Sequence, residues 1–538
     1  MNAFHSETSP RKISVPLLIG VILFVAALAL TVLAITLTGA GQARAEGLLP
    51  KLNLDLRETT VSGISSGAFM ATQVAVAHSG TIKGVAVTAG GPYFCAGKDS
   101  SNGAGVSKAI ARCMQGDPMF PARAIAEDDQ RLMQEATRRW AAEGMIDPLD
   151  GLARQKVWIF HGYNDGIVKT PVSDALETFY RAFVPARQIF HRRELPAAHA
   201  QISAACASNE TGASCNACNV TGGNFINACS VGGAPYDAAG MALQFFYGPM
   251  QRTNRLEGEL LTFNQVFYTL MNGKKIDPGK ISMADEGYLY VPKTCLEGNP
   301  CRLHIAFHGC QQNAGKIGMD FVKGAGYSEW AELNRLVVLF PQATSSRFLP
   351  ANPNACWDWW GYNDTGGQPT GHYATQSGFQ IAAVWRMAQA LVDPGSQGDG
   401  KREDEPAASA DEIRLVAPVA QVLDVGSTQA LLIWEAVPGA AAYRVYRLMP
   451  DSDPKGSPAF LPVTPEGFTD TAYVDSGLEE KTRYQYKVTA LDEAGRETSA
   501  HPLTAETSGR PPACDPYFSM LMGRTVDRHG LPTDSTCP

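Results

Sequence analysis

The chain has 538 residues, of which 45% are hydrophobic, 18% charged and 9% aromatic, and its formal net charge is −8. The ordinary apolar fraction excludes collagen-like and largely disordered chains, and the length suggests roughly three or four domains, or fewer if one is a large α/β core. The negative charge argues against a nucleic-acid backbone as the main partner. Twelve cysteines, an even number, are the first unusual feature.

The N-terminal segment, residues 1–45, has the layout of a secretory signal. Arg11 and Lys12 precede an apolar run from Ile13 to Leu37, and an Ala-x-Ala site follows at Ala43–Ala45. We expect cleavage after this site. The apolar run is about 25 residues long, so an uncleaved membrane anchor is the alternative. Both interpretations export the chain, and they favour disulfides over metal ligands for the cysteines.

Two changes in composition divide the exported part. Residues 394–411 are rich in Gly, Pro, Ser and charge, which is typical of a linker, and a second break containing Pro and Gly precedes residue 512. We therefore expect a large domain over 46–393, a small domain over 412–507 and a short tail over 508–538.

The large domain alternates two kinds of pattern. Buried strands are predicted at Thr59–Gly63, Gly84–Ala89, Lys156–His161, Arg187–His191, Tyr288–Pro292, Leu303–His308 and Val337–Pro341. Helices are predicted at Ser66–His78, Asp128–Ala142, Pro171–Phe183, Ala238–Tyr247, Tyr327–Asn334 and Ser377–Leu391. This alternation predicts an α/β fold with a mainly parallel sheet.

The small domain has a different pattern, with short strands predicted at Leu431–Trp434, Ala442–Arg447, Ala472–Asp475 and Arg483–Leu491. Turn residues separate them, as in a β-sandwich. Trp434, the run Tyr443–Tyr446, and Leu478 six residues before Tyr484 resemble a fibronectin type III domain. The resemblance implies a tyrosine corner at Leu478 and Tyr484. This domain, or a generic immunoglobulin-like sandwich in its place, would act as a spacer or binding module.

A nucleophile motif opens the large domain at Gly63-Ile64-Ser65-Ser66-Gly67, between a predicted strand and a predicted helix. The glycines permit a tight turn that exposes Ser65 Oγ, and the N–H of Ser66 faces the same space, where it can stabilise an oxyanion. A plain turn is the alternative, because the motif also occurs by chance.

An acid and a base follow in the order expected of α/β-hydrolases. Asp165 lies just after a buried strand, although turn or helix-capping aspartates are common there. His199 follows the next strand, which completes the order Ser…Asp…His. His191 competes for the role of base but lies within a strand, and His161 is expected to support the Asp165 loop.

Too few residues precede Ser65 for the strands that normally come before such a nucleophile. The segment 303–312 instead has the form of a strand that enters an oxyanion loop, and residues 336–341 supply another core strand. These observations predict a circularly permuted α/β-hydrolase, which surface termini would permit.

The ordered motifs SGISSGAFMATQ, HGYND, His199, YDAAGMALQFFYG, HGCQQ and CWDWWGY, over about 55–390, resemble the circularly permuted poly(3-hydroxybutyrate) depolymerases. Members of this family often carry a fibronectin-like domain and a C-terminal polymer-binding domain, for which residues 508–538 are very short. The resemblance implies these roles: nucleophile Ser65, orienting acid Asp165, base His199, oxyanion-hole N–H groups of Ser66 and Cys310, and a substrate-crevice residue, Trp357. A packed corner is the alternative for Trp357.

The spacing of the cysteines suggests four pairs: Cys95–Cys113, Cys295–Cys301, Cys310–Cys356 and Cys514–Cys537. The pair Cys310–Cys356 would tie the oxyanion loop to the tryptophan loop. Four cysteines remain unassigned, namely Cys206, Cys215, Cys218 and Cys229. We expect two disulfides among them, with a zinc site at Cys215-x-x-Cys218 as the alternative.

The sequence thus predicts a secreted serine esterase that hydrolyses poly(3-hydroxybutyrate) or related polyesters through an acyl-enzyme. It predicts no cofactor and no bound metal, a polyester as the partner, and membrane contact only if the N-terminal segment stays uncleaved. The alternatives are an esterase of feruloyl or acetyl groups on xylan and, from another class, a non-catalytic surface-binding protein.

Overall fold

The computed structural model describes residues 47–97, 104–116, 125–205, 214–271, 273–348, 350–364, 371–394, 415–449 and 458–511. Nearly all of these belong to one compact unit that begins at Leu49. The predicted leader and most of the predicted linker and tail, including Cys514 and Cys537, lie outside the described residues. None of the described helices is long and apolar enough to cross a membrane.

The N-terminal half of the large domain supplies four parallel strands with helices between them. The elements are β1 (Thr59–Ile64), α1 (Ser66–Ala77), β2 (Ile82–Thr88), α2 (Ala104–Cys113), α3 (Glu127–Ala142), α4 (Asp150–Arg154), β3 (Lys156–Phe160), α5 (Thr170–Arg181) and β4 (Ile189–Arg192). Every residue of β1, β3 and β4 is buried. Burial on both faces agrees with the β-branched and aromatic residues and the few charges that these strands contain.

Short strands follow β4: β5 (Gln201–Ile202), β6 (Asn216–Ala217) and β7 (Ile226–Ala228) form one small sheet, and β8 (Ser230–Val231) pairs with β9 (Ala234–Pro235). The later elements are α6 (Ala238–Tyr247), β10 (Glu259–Asn264), β11 (Leu270–Met271), β12 (Lys274–Lys275), β13 (Glu286–Val291), α7 (Lys293–Leu296), β14 (Arg302–Phe307), α8 (Ala314–Ile317), α9 (Asp320–Gly324), α10 (Ser328–Ala331), β15 (Leu336–Phe340) and α11 (Phe379–Leu391). Short 3-10 turns cover Leu56–Glu58, Ala186–Gln188, Gln265–Phe267, Pro278–Ile281, Glu332–Asn334 and His372–Ala374.

One eight-stranded sheet unites the two halves in the order β10-β13-β15-β14-β1-β2-β3-β4. Strands β15 through β4 are parallel, and β13 runs antiparallel to both of its neighbours. Val61 at the centre of β1 pairs with Ile305 of β14 on one side and with Val85 of β2 on the other. The strands that follow the predicted triad in sequence therefore extend the sheet beyond its first strand, which confirms the predicted circularly permuted α/β-hydrolase.

All seven strands predicted for this domain are present. The sequence did not indicate β10, because this edge strand is largely exposed and lacks a continuous apolar run. The helix predicted over 327–334 is a single turn, α10, followed by a 3-10 turn.

The small domain is an antiparallel sandwich of seven strands: β16 (Ala420–Val425), β17 (Gln429–Trp434), β18 (Ala442–Met449), β19 (Ala459–Pro462), β20 (Ala472–Ser476), β21 (Arg483–Leu491) and β22 (Leu503–Glu506). They form sheets of order β16-β17-β20 and β19-β18-β21-β22. Tyr484 Oη accepts a hydrogen bond of 2.8 Å from Glu479 N, which is a tyrosine corner. The domain is a fibronectin type III-like sandwich.

Candidate active site

Ser65 lies where β1 ends and α1 begins, with φ 56° and ψ −124°. This conformation is strained for a residue with a side chain, and such strain is concentrated at functional sites. A Cβ added to Gly63 would lie 2.2 Å from Gly67 O, and one added to Gly67 would lie 2.3 Å from His308 O. Both glycines are therefore required by close backbone contacts, and the motif is a sharp strand-to-helix turn.

Asp165 and His199 lie in the loops that follow β3 and β4. The carboxyl ends of parallel strands meet at one edge of a sheet, so these loops lie at the same edge as Ser65. The distance from His199 Nδ1 to Asp165 Oδ2 is 2.8 Å. Asp165 Oδ1 accepts hydrogen bonds from Ile167 N at 2.8 Å and Val168 N at 3.0 Å. Both carboxylate oxygens are therefore engaged.

The ionised carboxylate of Asp165 fixes which nitrogen of a neutral His199 ring carries the proton. Burial alone would raise the pKa of Asp165, but the charge of His199 and the hydrogen bond from it outweigh burial, so the pKa lies below its ordinary value. An ionised carboxylate only accepts hydrogen bonds. Neutral His199 therefore carries its proton on Nδ1 and has a lone pair on Nε2, as a general base requires.

Ser65 is partly exposed, whereas Asp165 and His199 are buried. In the part of the chain that the structure describes, Ser65 Oγ forms no hydrogen bond with His199 Nε2. Catalytic hydrogen bonds are often long before substrate binds. The structure thus brings Asp165 and His199 into direct contact and places Ser65 at the same edge of the sheet.

Two backbone N–H groups belong to the segments on either side of Ser65, the start of α1 and the turn after β14. Ser66 is the first residue of α1, so its N–H has no acceptor within the helix. The turn after β14 approaches from the other side: a Cβ added to Gly309 would lie 3.3 Å from Ser65 Cβ. Neither Ser66 N nor Cys310 N donates a hydrogen bond to another described residue. Free N–H groups beside a nucleophile are what an oxyanion hole needs.

Buried contacts hold this turn in place. His308 Nε2 accepts a hydrogen bond from Ala343 N at 3.0 Å, so the proton lies on Nδ1, which is 2.7 Å from Gly309 O. Burial lowers the pKa of His308 to about 4, so the ring is neutral. A disulfide joins Cys310 to Cys356. The neutral imidazole and the disulfide fix the backbone around Cys310 N.

Gln312 is a positioning residue to which the sequence analysis gave no role. Its Oε1 accepts a hydrogen bond from Gly309 N at 2.8 Å, and its Nε2 donates to Asn224 O and Phe225 O at 2.9 and 3.0 Å. Phe225 O also accepts from Gln201 N, two residues beyond His199. Gln312 thus joins the turn after β14 to the segment that follows His199. The sequence signal for this residue was the HGCQQ motif. A side-chain amide that becomes buried needs hydrogen-bond partners for both its oxygen and its nitrogen.

Trp357 is fully buried. Its ring packs edge-on against Phe307 at 5.1 Å between centroids and lies 5.4 Å from the His308 ring. These contacts support the end of β14 and the oxyanion turn. The indole has no exposed surface, and its predicted contact with substrate stays a prediction.

The other histidines near the triad have separate partners. His191 Nδ1 lies 2.9 Å from Glu177 Oε2, and its Nε2 lies 3.0 Å from Ser173 Oγ, so both ring nitrogens are occupied within a buried network. His161 Nε2 lies 3.2 Å from Thr170 Oγ1, and burial lowers the pKa of His161 to about 4. Neither ring takes the place of His199 beside Asp165.

Every cysteine in the described ranges is disulfide-bonded. The structure joins Cys95 to Cys113, Cys218 to Cys229, Cys295 to Cys301 and Cys310 to Cys356. Cys215 is also in a disulfide, and Cys206 lies outside the described residues. Because Cys215 and Cys218 are each in a disulfide, neither offers a free thiolate to a metal in this structure.

Comparisons with known proteins agree on one family. The chain is 36% identical over 471 residues to a poly(3-hydroxybutyrate) depolymerase of Delftia acidovorans, covering 86% of this chain and 82% of that protein. The crystal structure of a PHB depolymerase from Penicillium funiculosum matches 64% of this chain and 98% of its own at 28% identity, with a TM-score of 0.53. A PHB depolymerase complexed with an R3HB trimer matches the same shares with a TM-score of 0.52. No protein-family model matches the chain.

Proposed function

Because the chain belongs to the poly(3-hydroxybutyrate) depolymerase family, we propose that it hydrolyses the ester bonds of poly(3-hydroxybutyrate) and related polyhydroxyalkanoates with Ser65, His199 and Asp165 as a catalytic triad. The chain is a carboxylic ester hydrolase. The observation that carries the triad is the 2.8 Å contact between Asp165 Oδ2 and His199 Nδ1 at the sheet edge that also bears the strained Ser65.

The first half of the reaction forms an acyl-enzyme. Ser65 Oγ attacks the ester carbonyl carbon while its proton passes to His199 Nε2, and Asp165 stabilises the resulting imidazolium. The carbonyl oxygen becomes an oxyanion that accepts hydrogen bonds from Ser66 N and Cys310 N. When the tetrahedral intermediate collapses, the ester C–O bond breaks, and His199 gives its proton to the departing alkoxide.

The second half regenerates the enzyme. His199 Nε2 takes a proton from water, and the water oxygen attacks the acyl carbonyl carbon. The bond to Ser65 Oγ then breaks, Oγ recovers a proton from His199, and a carboxylic acid is released. Every step is supplied by residues of this chain and water, so the mechanism requires no cofactor.

Secretion is part of this proposal. Disulfides persist in oxidising compartments, and every described cysteine is in one. A water-insoluble polyester that lies outside the cell cannot cross a membrane intact, so the enzyme that degrades it must be exported. The leader predicted over 1–45 would provide export.

The test compares Ser65→Ala with Ser66→Ala. Ser66 Oγ is buried and has no hydrogen-bond partner among the described residues, so this neighbour can lose its hydroxyl while keeping its backbone N–H. We expect Ser65→Ala to abolish clearing of a poly(3-hydroxybutyrate) suspension and labelling by a fluorophosphonate, with unchanged circular dichroism. Ser66→Ala should retain both activities. A Ser65→Ala protein that still clears polyester would refute the assignment of Ser65 as the nucleophile. If the wild-type protein released ferulate from bran but did not clear polyester, the xylan-ester alternative would be favoured.

A further inference from the structure

The sandwich packs against the catalytic domain through a face that would be exposed in a free-standing domain. Ala430, Leu432 and Trp434 of β17 point into the core of the sandwich. The alternate residues point the other way, and one buried cluster contains Leu431, Ile433 and Val474 of the sandwich together with Phe190, Tyr236 and Phe246 of the catalytic domain. An outward sandwich face is normally polar. This apolar face is therefore buried at the contact between the two domains.

A single side chain of the sandwich completes the edge of the catalytic sheet. Strand β4 is the last strand of that sheet. Arg192 O accepts a hydrogen bond from His161 N on the β3 side, so by alternation the backbone groups of Ile189 and His191 point outward. Gln429 Oε1 accepts from His191 N at 2.9 Å, and Gln429 Nε2 donates to Ile189 O at 3.0 Å. The amide thus takes the place of a neighbouring strand for two of these groups, the His191 N–H and the Ile189 carbonyl.

Charged and polar contacts hold the end of β4 in the same way. Arg192 lies 3.6 Å from Asp424 Oδ1 and donates a hydrogen bond to Val425 O. Two residues on, Glu194 Oε1 accepts a hydrogen bond of 2.7 Å from Ser427 N. The side chains of Arg192, Glu194 and Asp424 are all less than a tenth exposed. Buried pairs of this kind tolerate little displacement, because an unpaired buried charge is costly.

The pinned strand leads directly into the loop of the base. Between β4 and His199, Leu195 O accepts a hydrogen bond from Tyr163 N at 3.0 Å, and Pro196 O accepts from Asn164 Nδ2 at 3.0 Å. These bonds fix the segment against the loop that carries Asp165. A shift at the start of the segment is therefore transmitted to the imidazole.

We propose that the sandwich is a positioning element of the catalytic centre and that Gln429 is its main contact, holding β4 and through it His199. This inference rests on the proposed role of His199 as the base. It differs from the role of a spacer or binding module, which would affect polymer and leave soluble esters untouched. Loss of the Gln429 contact should lower the rates of hydrolysis of polymer and of soluble esters by the same factor.

The experiment uses the full chain with Gln429→Met, which removes both hydrogen bonds and keeps the length of the side chain. The matched control is Gln485→Met, an exposed position on β21 of the same domain. Measured well below the unfolding temperature of each variant, kcat of Gln429→Met on p-nitrophenyl butyrate should fall about tenfold, because a misplacement of about 1 Å can cost about 10²-fold and the shift expected here is smaller. KM should be unchanged, and the rates of poly(3-hydroxybutyrate) clearing and of fluorophosphonate labelling should fall by the same factor.

Several outcomes would overturn the positioning role. One is a folded Gln429→Met protein with the kcat of Gln485→Met, and another is a loss confined to the polymer. If Gln429→Met does not fold, Glu194→Gln weakens the neighbouring contact at constant volume, and an unchanged kcat for this variant is equally decisive. A wild-type chain without esterase activity would instead refute the proposed function, so the two failures are distinguishable.

Discussion

Asp165→Asn should leave the fold intact and remove most of the activity. The structure fixes how the new amide would lie. Position 165 must accept hydrogen bonds from Ile167 N and Val168 N, so the amide oxygen is held on that side. The NH2 group then faces His199 Nδ1. In the wild-type protein this nitrogen donates a hydrogen bond of 2.8 Å to the carboxylate. Since NH2 only donates, His199 must accept through Nδ1 and carry its proton on Nε2.

The expected loss follows from this change of tautomer. A protonated Nε2 cannot take the proton of Ser65, and the negative charge that stabilises the imidazolium is also absent. The same change in serine hydrolases lowers kcat by about 10⁴-fold, which corresponds to about 5.5 kcal/mol of transition-state stabilisation. The two backbone hydrogen bonds that remain should limit the loss of folding stability to about 1 kcal/mol.

The assay is kcat on p-nitrophenyl butyrate at neutral pH, with the free energy of unfolding measured in urea. The control is Asp128→Asn, which removes an exposed carboxylate in a surface ion pair on α3 and should change neither quantity. A folded Asp165→Asn protein that keeps a tenth or more of the wild-type kcat would contradict the assignment of Asp165 as the orienting acid.

Two further substitutions test the packing around the site. Gly67→Ala should lower the free energy of unfolding, measured in urea, by about 3 kcal/mol, because the new Cβ would lie 2.3 Å from a backbone carbonyl oxygen of the turn after β14. The control is Gly166→Ala, where a Cβ meets open space and stability should not change. Equal stabilities of the two variants would contradict the close contact at Gly67. Glu177→Gln should lower the free energy of unfolding by about 3 kcal/mol at pH 7, because it leaves partly buried cationic partners without their counter-charge. Burial alone would raise the pKa of Glu177, but the hydrogen bond and charge of His191 and the charge of Arg193 outweigh it, so the pKa is lowered. This stabilisation is present above the pKa of about 4.3 in the unfolded chain, and it is lost as the pH falls through the pKa in the folded protein. The difference in free energy of unfolding between wild type and Glu177→Gln, measured in urea, should therefore shrink in acid. A difference that stays constant down to pH 3 would refute this linkage.

Several features followed from local sequence. The strands β3 and β15 are buried on both faces and therefore appear as apolar runs. The turn at Ser65 was predictable because Gly63 and Gly67 meet backbone atoms that no Cβ could approach. The edge strand β10 escaped notice because exposure removes the apolar signal. The local sequence pattern thus reports burial, and it is weakest for strands at the exposed edge of a sheet.

The sequence by itself determined the α/β and sandwich architectures, the nucleophile motif and the order of serine, acid and histidine, because each depends on residues close together in the chain. The sequence favoured His199 over His191 because His191 lies within a strand, but only the tertiary structure shows that His199 contacts Asp165 while His191 contacts Glu177. Only the tertiary structure also brings Gln429 to β4, since it lies 238 residues from the strand atom to which it bonds. Hydrogen bonds between such distant segments depend on how whole domains pack, and no local pattern encodes them.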